Sequence, residues 1–335
     1  MTMPADRALR ILLSQKAIDA LCEPIAQCLG DRPHELVSIE SAVASSRGNI
    51  DAAFISRDVT GLSTKHELAP SLQACYDVLR RAAGLQWVHI HSAGADRPVY
   101  VELRARGVAV TTSSGANAEV VAQTAFAGLL ALARRFPQLM AAQRARTWAP
   151  LLGGQLPRDL GGQTALIVGW GPIGQRIGEF LRLLGLRLIV VRTRPAPSQD
   201  GVEMVTFQDL AKVLPRADWL LLACPLTDST RRLVDARVLA ALPRGAGLIN
   251  VGRGEVVAQA DLIEALRSGQ IGSAFLDVFE HEPLPGDSPL WELPNVIVTP
   301  HSAGHSDGNA ARVADMFLDN LRRWCAGEPL SNRVD

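Results

Sequence analysis

The sequence predicts an α/β protein built as two doubly wound parallel-sheet domains with a cleft between them. Three observations lead there. At 335 residues the chain is long for one hydrophobic core, so two domains are expected. Short β-rich runs alternate with amphipathic helical stretches in two separate series. In the second series the strands are unbroken apolar runs of four or five residues, the pattern of a sheet covered by helices on both faces.

The first series occupies the leading 115 residues. Its strands are ILL (11–13), ELVSI (35–39), AAFIS (52–56), LQWVHI (85–90) and GVAVTT (107–112). Amphipathic stretches at 16–29, 70–83 and 98–106 supply helices between them. A long helical pattern then runs from Ala118 to Arg146, and its Pro137 should kink it or end its first half. The second series begins at Thr164 with TALIV (164–168), RLIVV (187–191), WLLLA (219–223), GLIN (247–250), SAFLD (273–277) and VIVT (296–299), giving a six- or seven-stranded sheet. One more helical pattern closes the chain, with apolar positions at Val313, Met316, Phe317, Leu321 and Trp324 that require a partner face. The first domain is the expected partner. That makes it discontinuous, residues 1–115 with 303–335, leaving 116–302 as the second domain.

Composition narrows the function. Hydrophobic residues are 47% of the chain and charged ones 20%, enough to bury a core and too apolar for disorder. The 34 Lys and Arg balance 34 Asp and Glu, so no global field draws the chain to nucleic acid or to an anionic membrane. Small molecules, or a second copy, are the expected partners. Cys22, Cys28, Cys75, Cys224 and Cys325 are scattered without CxxC spacing, which fits reduced thiols in a cytoplasmic protein. Near the N-terminus the apolar core is only Ile11, Leu12 and Leu13, too short for a signal segment, and no apolar stretch approaches a membrane span.

The fragment GWGPIG, Gly169 to Gly174, follows the strand TALIV and opens the helical stretch QRIGEFLRLL. In that context Gly169 permits the tight turn, Gly171 lets backbone approach a pyrophosphate, and Gly174 allows helix to pack on strand. The helix N-terminus then offers free amides and a positive dipole end to phosphates. Eighteen residues after Gly174, where an acidic residue usually accepts hydrogen bonds from the ribose of NAD, stand Arg192, Thr193 and Arg194. Two guanidinium groups and a hydroxyl suit a 2′-phosphate, so NADP(H) is the preferred cofactor and NAD(H) remains possible. Two solvated arginines at a strand end are the alternative.

Three later fragments supply chemistry: NVGRGEVV around Arg253, DVFEHEPLP around Glu282 and TPHSAG around His301. They bring a permanent cation, a carboxylate and an imidazole, sufficient to bind a 2-oxo acid and move a proton on its carbonyl oxygen. Each alone is an ordinary surface or loop residue. In this order, with GWGPIG and CPLTDST (224–230) before them and SAGAD (92–96) in the first domain, they resemble the D-isomer-specific 2-hydroxyacid dehydrogenases. Arg192 to Arg194 resemble the glyoxylate and hydroxypyruvate reductase branch.

The resemblance implies two Rossmann-like domains: a flavodoxin-like substrate-binding domain and a dinucleotide-binding domain whose residues 117–150 serve dimerisation. It implies Arg253 as the clamp on the substrate carboxylate, His301 as proton donor and Glu282 as the acid that orients the imidazole. It places Pro172, Ile173, Cys224, Pro225, Val251 and Asp277 at the cofactor, and the backbone of Ala93 and Gly94 at the substrate. A metal-free mechanism is implied as well, and His281 and His305, which bracket the motifs, have no acidic or thiol partners at ligand spacing. Trp148 could reach a substrate pocket across a dimer interface or simply pack there. Arg57 and Arg97 flank the expected cleft and could select an anionic substrate or be solvated surface residues. The expected activity is reduction of a small 2-oxo acid such as glyoxylate or hydroxypyruvate by a homodimer. A dinucleotide-sensing corepressor on the same fold and a short phosphoglycerate dehydrogenase are the rival readings.

Overall fold

Four of the five strands of the first series are buried on both faces at their centres, the pattern of a parallel sheet layered between helices. The computed structural model describes residues 7–45, 49–61, 63, 67–152, 156–194, 197 and 201–334. It divides into two compact units, 1–116 with 306–335 and 117–305.

Unit 1 carries β1 (Leu9–Leu13), β2 (His34–Ser38), β3 (Ala52–Ile55), β4 (Trp87–Ile90) and β5 (Ala109–Thr112), all parallel in the order β2-β1-β3-β4-β5. The Ser14 side chain caps the helix Gln15–Leu29 by accepting from the Ala17 N–H at 3.0 Å. The helices Pro70–Arg81 and Pro98–Ala105 begin with proline, where a missing N–H removes no helical bond. The closing helix, Asn309–Ala326, buries Val313, Phe317 and Leu321. Phe317 stacks on Phe54 at 4.5 Å and on Trp87 at 5.6 Å between ring centroids, so the partner face required by the apolar stripe is the β3–β4 surface of unit 1. The chain end is pinned to β5 through Val334 N–H to Val110 O, 2.9 Å.

Unit 2 carries β6 (Thr164–Val168), β7 (Arg187–Arg192), β8 (Val202–Thr206), β9 (Trp219–Leu222), β10 (Ala246–Asn250), β11 (Ile271–Leu276) and β12 (Val296–Val298). Their order is β12-β11-β10-β9-β6-β7-β8, all parallel, and the chain reverses direction across the sheet between β6 and β9. The strand the sequence did not reveal is β8. It lies at the sheet edge with only Val202 buried, and its run VEMVT lacks the continuous apolar pattern of the others.

The helical pattern 118–146 resolves into two helices, Ala118–Ala133 and Phe136–Arg144. The break precedes Pro137: Arg135 takes φ +56°, and the proline falls in the first turn of the second helix, where it is tolerated. The first helix lies directly on β11, because a Cβ on Gly128 would meet the Phe275 ring at 2.5 Å. At the second crossing between units, residues 303–305 stay with unit 2, three beyond the boundary read from sequence. The buried Ala303 donates its N–H to the Asp277 carboxylate at 3.0 Å, which ties it to β11. Among the described residues no helix is long and apolar enough to cross a membrane.

Candidate active site

The carboxyl ends of parallel strands beside a reversal of strand order are where open α/β sheets bind ligands. In unit 2 the reversal lies between β6 and β9. GWGPIG leaves the end of β6, and Cys224 and Pro225 follow β9.

Gly169 has φ +100°, and a Cβ there would lie 2.8 Å from the backbone of Ala223 and Cys224. Any side chain would push the two loops apart. A Cβ on Gly174 would stand 2.1 Å from the Gly169 carbonyl oxygen, so the helix Pro172–Leu183 can rest on the turn only with glycine there. Around Gly171, by contrast, no protein atom lies within 4 Å of a would-be Cβ. That open space at the N-terminus of a twelve-residue helix, with Pro172 and Ile173 in its first turn, fits the pyrophosphate of a dinucleotide. Arg192 ends β7, half-buried, with its Nη1 4.0 Å from Met204 Sδ, and Thr193 and Arg194 follow, exposed.

Arg253 sits three residues beyond β10 in a loop made narrow by two glycines. A Cβ on Gly252 would meet the Cys224 carbonyl oxygen at 2.9 Å, and one on Gly254 would meet the Phe279 carbonyl carbon at 1.9 Å. The loop is therefore wedged between the β9 and β11 edges. Asn250, fully buried at the end of β10, clamps it from within: its Oδ1 accepts from Gly252 N–H and its Nδ2 donates to Arg253 O, both 3.1 Å. The sequence reading passed over Asn250, which acts only through backbone. Arg253 itself is half-buried and donates to Gly252 O at 2.8 Å. Val251 is buried beneath the loop, and burial pushes the Cys224 thiol up to about 11, so it is a neutral packing group.

The imidazole stands on a strained turn. His301 has φ +50°, a conformation that non-glycine residues rarely adopt, and its N–H donates to Asp277 O at 2.8 Å. Asp277 holds this turn with its carboxylate, accepting from Thr299 Oγ1 (2.6 Å), Ser302 N–H (2.8 Å) and Ala303 N–H (3.0 Å). With that side chain only 2% exposed, the geometry gives Asp277 a positioning task.

His301 Nδ1 lies 2.7 Å from Glu282 Oε2, and the other carboxylate oxygen accepts from Phe279 N–H at 3.1 Å. Burial pushes the Glu282 carboxyl up, but the hydrogen bond and charge of His301, the Phe279 N–H and the cation of Arg253 outweigh it and hold the carboxyl below its usual range. Glu282 is thus an anion at neutral pH. The structure brings Arg253, Glu282 and His301 together along neighbouring strand edges, with Glu282 feeling both other charges.

In unit 1 Ala93 and Gly94 form the turn after β4, exposed and half-buried respectively, with Ser92 Oγ donating to Gly94 O at 2.9 Å. Trp148 is 95% exposed. Among the described residues no group of three or more His, Cys, Asp or Glu is placed to hold a metal ion.

A reversed parallel sheet with a glycine turn at its switch point is the setting of a dinucleotide site, and a clamped arginine beside a His–Glu pair suits oxidoreduction at a carbon bearing oxygen. Residues 126–303 match the D-isomer specific 2-hydroxyacid dehydrogenase, NAD binding domain. The chain belongs to this family and is an NAD(P)-dependent oxidoreductase acting on the CH–OH group. It is 35% identical over 266 residues to the glyoxylate reductase of Korarchaeum cryptofilum, covering 77% of this chain and 79% of that one. The glyoxylate/hydroxypyruvate reductase B of Yersinia pestis is 31% identical over 310 residues, 91% of this chain and 87% of that one. Among solved structures, a D-isomer specific 2-hydroxyacid dehydrogenase from Xanthobacter autotrophicus in complex with NADPH and MES superimposes with a TM-score of 0.74 at 29% identity, covering 98% of both chains.

Proposed function

We propose that this enzyme is an NADPH-dependent reductase of small 2-oxo acids, with glyoxylate and hydroxypyruvate as first candidates, and that it yields D-2-hydroxy acids. The 2.7 Å contact between His301 and Glu282 beside the clamped Arg253 carries the reading. Bound nicotinamide supplies the hydride. The chain supplies the rest. Arg253, planar and permanently charged, holds the substrate carboxylate and polarises the 2-oxo group. In unit 1 the backbone N–H groups of the Ala93–Gly94 turn are proposed as substrate contacts. His301, protonated, gives its Nε2 proton to the carbonyl oxygen and takes it back in the reverse direction. Glu282 accepts from Nδ1–H throughout, which fixes the ring and stabilises the imidazolium. Asp277 keeps the turn in the conformation that presents the ring.

The preference for NADPH is supported by Arg192 and Arg194, which would pair with a 2′-phosphate, and by the absence of an acidic residue at 192–194 to repel it. The Xanthobacter relative was solved with NADPH. Unit 2 is proposed as the dinucleotide-binding domain with Pro172, Ile173, Cys224, Pro225 and Val251 at the cofactor, and unit 1 as the substrate-binding domain. Exposed Phe136, Met140, Trp148, Leu152 and Leu156 form an apolar set that supports a homodimer, and the thiol content supports a cytoplasmic setting. The test is the loss of NADPH absorbance with glyoxylate, hydroxypyruvate, pyruvate and phenylpyruvate, repeated with NADH. Turnover on at least one acid, with the lower KM for NADPH, is expected. A clear NADH preference would overturn the cofactor assignment, and no turnover would favour a sensor.

A further inference from the structure

The strand that leads into the Ala93–Gly94 turn of unit 1 carries a histidine that the proposed chemistry leaves unused. His89, in β4, is fully buried, and the rings of Phe54, Phe317 and Trp87 flank it at 5.9, 5.9 and 6.2 Å between centroids. A polar ring in such surroundings is costly unless both nitrogens are hydrogen-bonded. Here both are. His89 pairs in register with Thr111 of β5, whose Oγ1 lies 2.8 Å from Nδ1. Nε2 lies 3.0 Å from the hydroxyl of Ser113, which is buried just beyond β5.

The neighbours fix which nitrogen carries the proton. Ser113 Oγ gives its own proton to Ile90 O at 3.0 Å, so towards His89 it accepts, from Nε2–H. Burial, and then the charge of His91, lower the pKa of the ring to about 3, so it is neutral and Nδ1 is bare. Nδ1 therefore accepts from Thr111 Oγ1, which itself accepts from Trp87 Nε1–H at 2.9 Å. The bonds run one way, from Trp87 through Thr111, His89 and Ser113 to Ile90 O, the last carbonyl of β4. Ser113 also donates its backbone N–H to Ser92 O at 3.1 Å, and Ser92 Oγ donates to Gly94 O at 2.9 Å. Its hydroxyl and its amide thus bracket His91 at the entrance of the turn. We propose that His89 is a positioning residue: through Ser113 it fixes the segment His91–Gly94, and with it the backbone N–H groups of Ala93 and Gly94. The consequence for the reaction rests on the reading of that turn as a substrate contact.

Two substitutions separate positioning from packing. His89→Gln puts an amide N–H where Nε2–H stands and still donates to Ser113, whereas His89→Asn is one carbon shorter and reaches only towards Thr111. A turn that holds substrate alike in the ground and transition states raises KM and spares kcat when it loosens. With glyoxylate or hydroxypyruvate, KM should rise roughly three- to tenfold in His89→Asn and in Ser113→Ala, the value of one neutral hydrogen bond, with kcat and the NADPH dissociation constant within about twofold of wild type. His89→Gln should recover most of that loss. Because His89 acts through Ser113, the double variant His89→Asn/Ser113→Ala should be no worse than Ser113→Ala alone. Wild-type KM in every variant, multiplying effects in the double variant, or His89→Gln no better than His89→Asn would overturn the proposal. Ser113→Ala removes only a hydroxyl, so the test stays readable if His89→Asn misfolds. If the wild type reduces no 2-oxo acid, the reductase reading has failed, and hydrogen exchange reads the turn by itself. The Ser113 amide, bonded to Ser92 O, should exchange roughly three- to tenfold faster in His89→Asn than in wild type, with the amides of the helix Pro70–Arg81 reporting any global loss of stability. A Ser113 amide no faster than that helix accounts for would overturn the positioning role, as would nitrogen chemical shifts showing the wild-type ring protonated at Nδ1.

Discussion

Glu282 ties the chemistry of the site to the stability of the chain. Its carboxyl is held below the usual glutamate value of 4.5, so the folded state binds its proton less readily than the unfolded one. The resulting stability is fully present above pH 4.5 and is lost as pH falls through the lower, folded value. Urea unfolding of wild type and Glu282→Gln across a pH series should therefore show a constant gap near neutrality that narrows in acid. A gap that widened in acid would contradict the assignment. The residues proposed for the chemistry, Arg253, Glu282 and His301, were legible as candidates in the sequence because each sits in a distinctive fragment. Asn250 and the turn-holding carboxylate of Asp277 were not legible in those roles: both act on backbone groups of other residues, and such contacts leave no spacing signal.

At the scale of elements, loops wedged between strand edges place the side chains, and glycine is what makes them thin enough. Gly254→Ala would drive a Cβ into the Phe279 carbonyl carbon, whose own residue donates to Glu282. The substitution should cost on the order of 1–3 kcal/mol and displace Arg253 and Glu282 together. Thermal denaturation and kcat/KM measured on one preparation check this; a variant with wild-type values in both would show that the loop yields. Strand positions were legible wherever burial on both faces produced an apolar run. The edge strand β8 was not, since its partly exposed residues need not be apolar. The break in the long helical pattern was legible in Pro137, whereas the left-handed residue that makes it, Arg135 at φ +56°, carried no signal of its own.

At the scale of the whole molecule, unit 1 is assembled from both ends of the chain. Phe317 from the closing helix is fully buried against Phe54 and Trp87, and the apolar stripe that foretold this pairing was visible in the sequence. Phe317→Ala should destabilise unit 1 by about 3–5 kcal/mol, followed by near-ultraviolet dichroism and tryptophan fluorescence of Trp87 and Trp324. A loss under about 1 kcal/mol would mean that the helix does not complete this core. In the whole enzyme working as a catalyst, we propose that His301 carries the proton and does not hold the cofactor. The most direct test is the turnover number and the NADPH dissociation constant of His301→Asn, side by side with wild type. Turnover should fall roughly 10²- to 10⁴-fold with the dissociation constant nearly unchanged. Full activity at neutral pH, or a loss explained wholly by weakened NADPH binding, would contradict it.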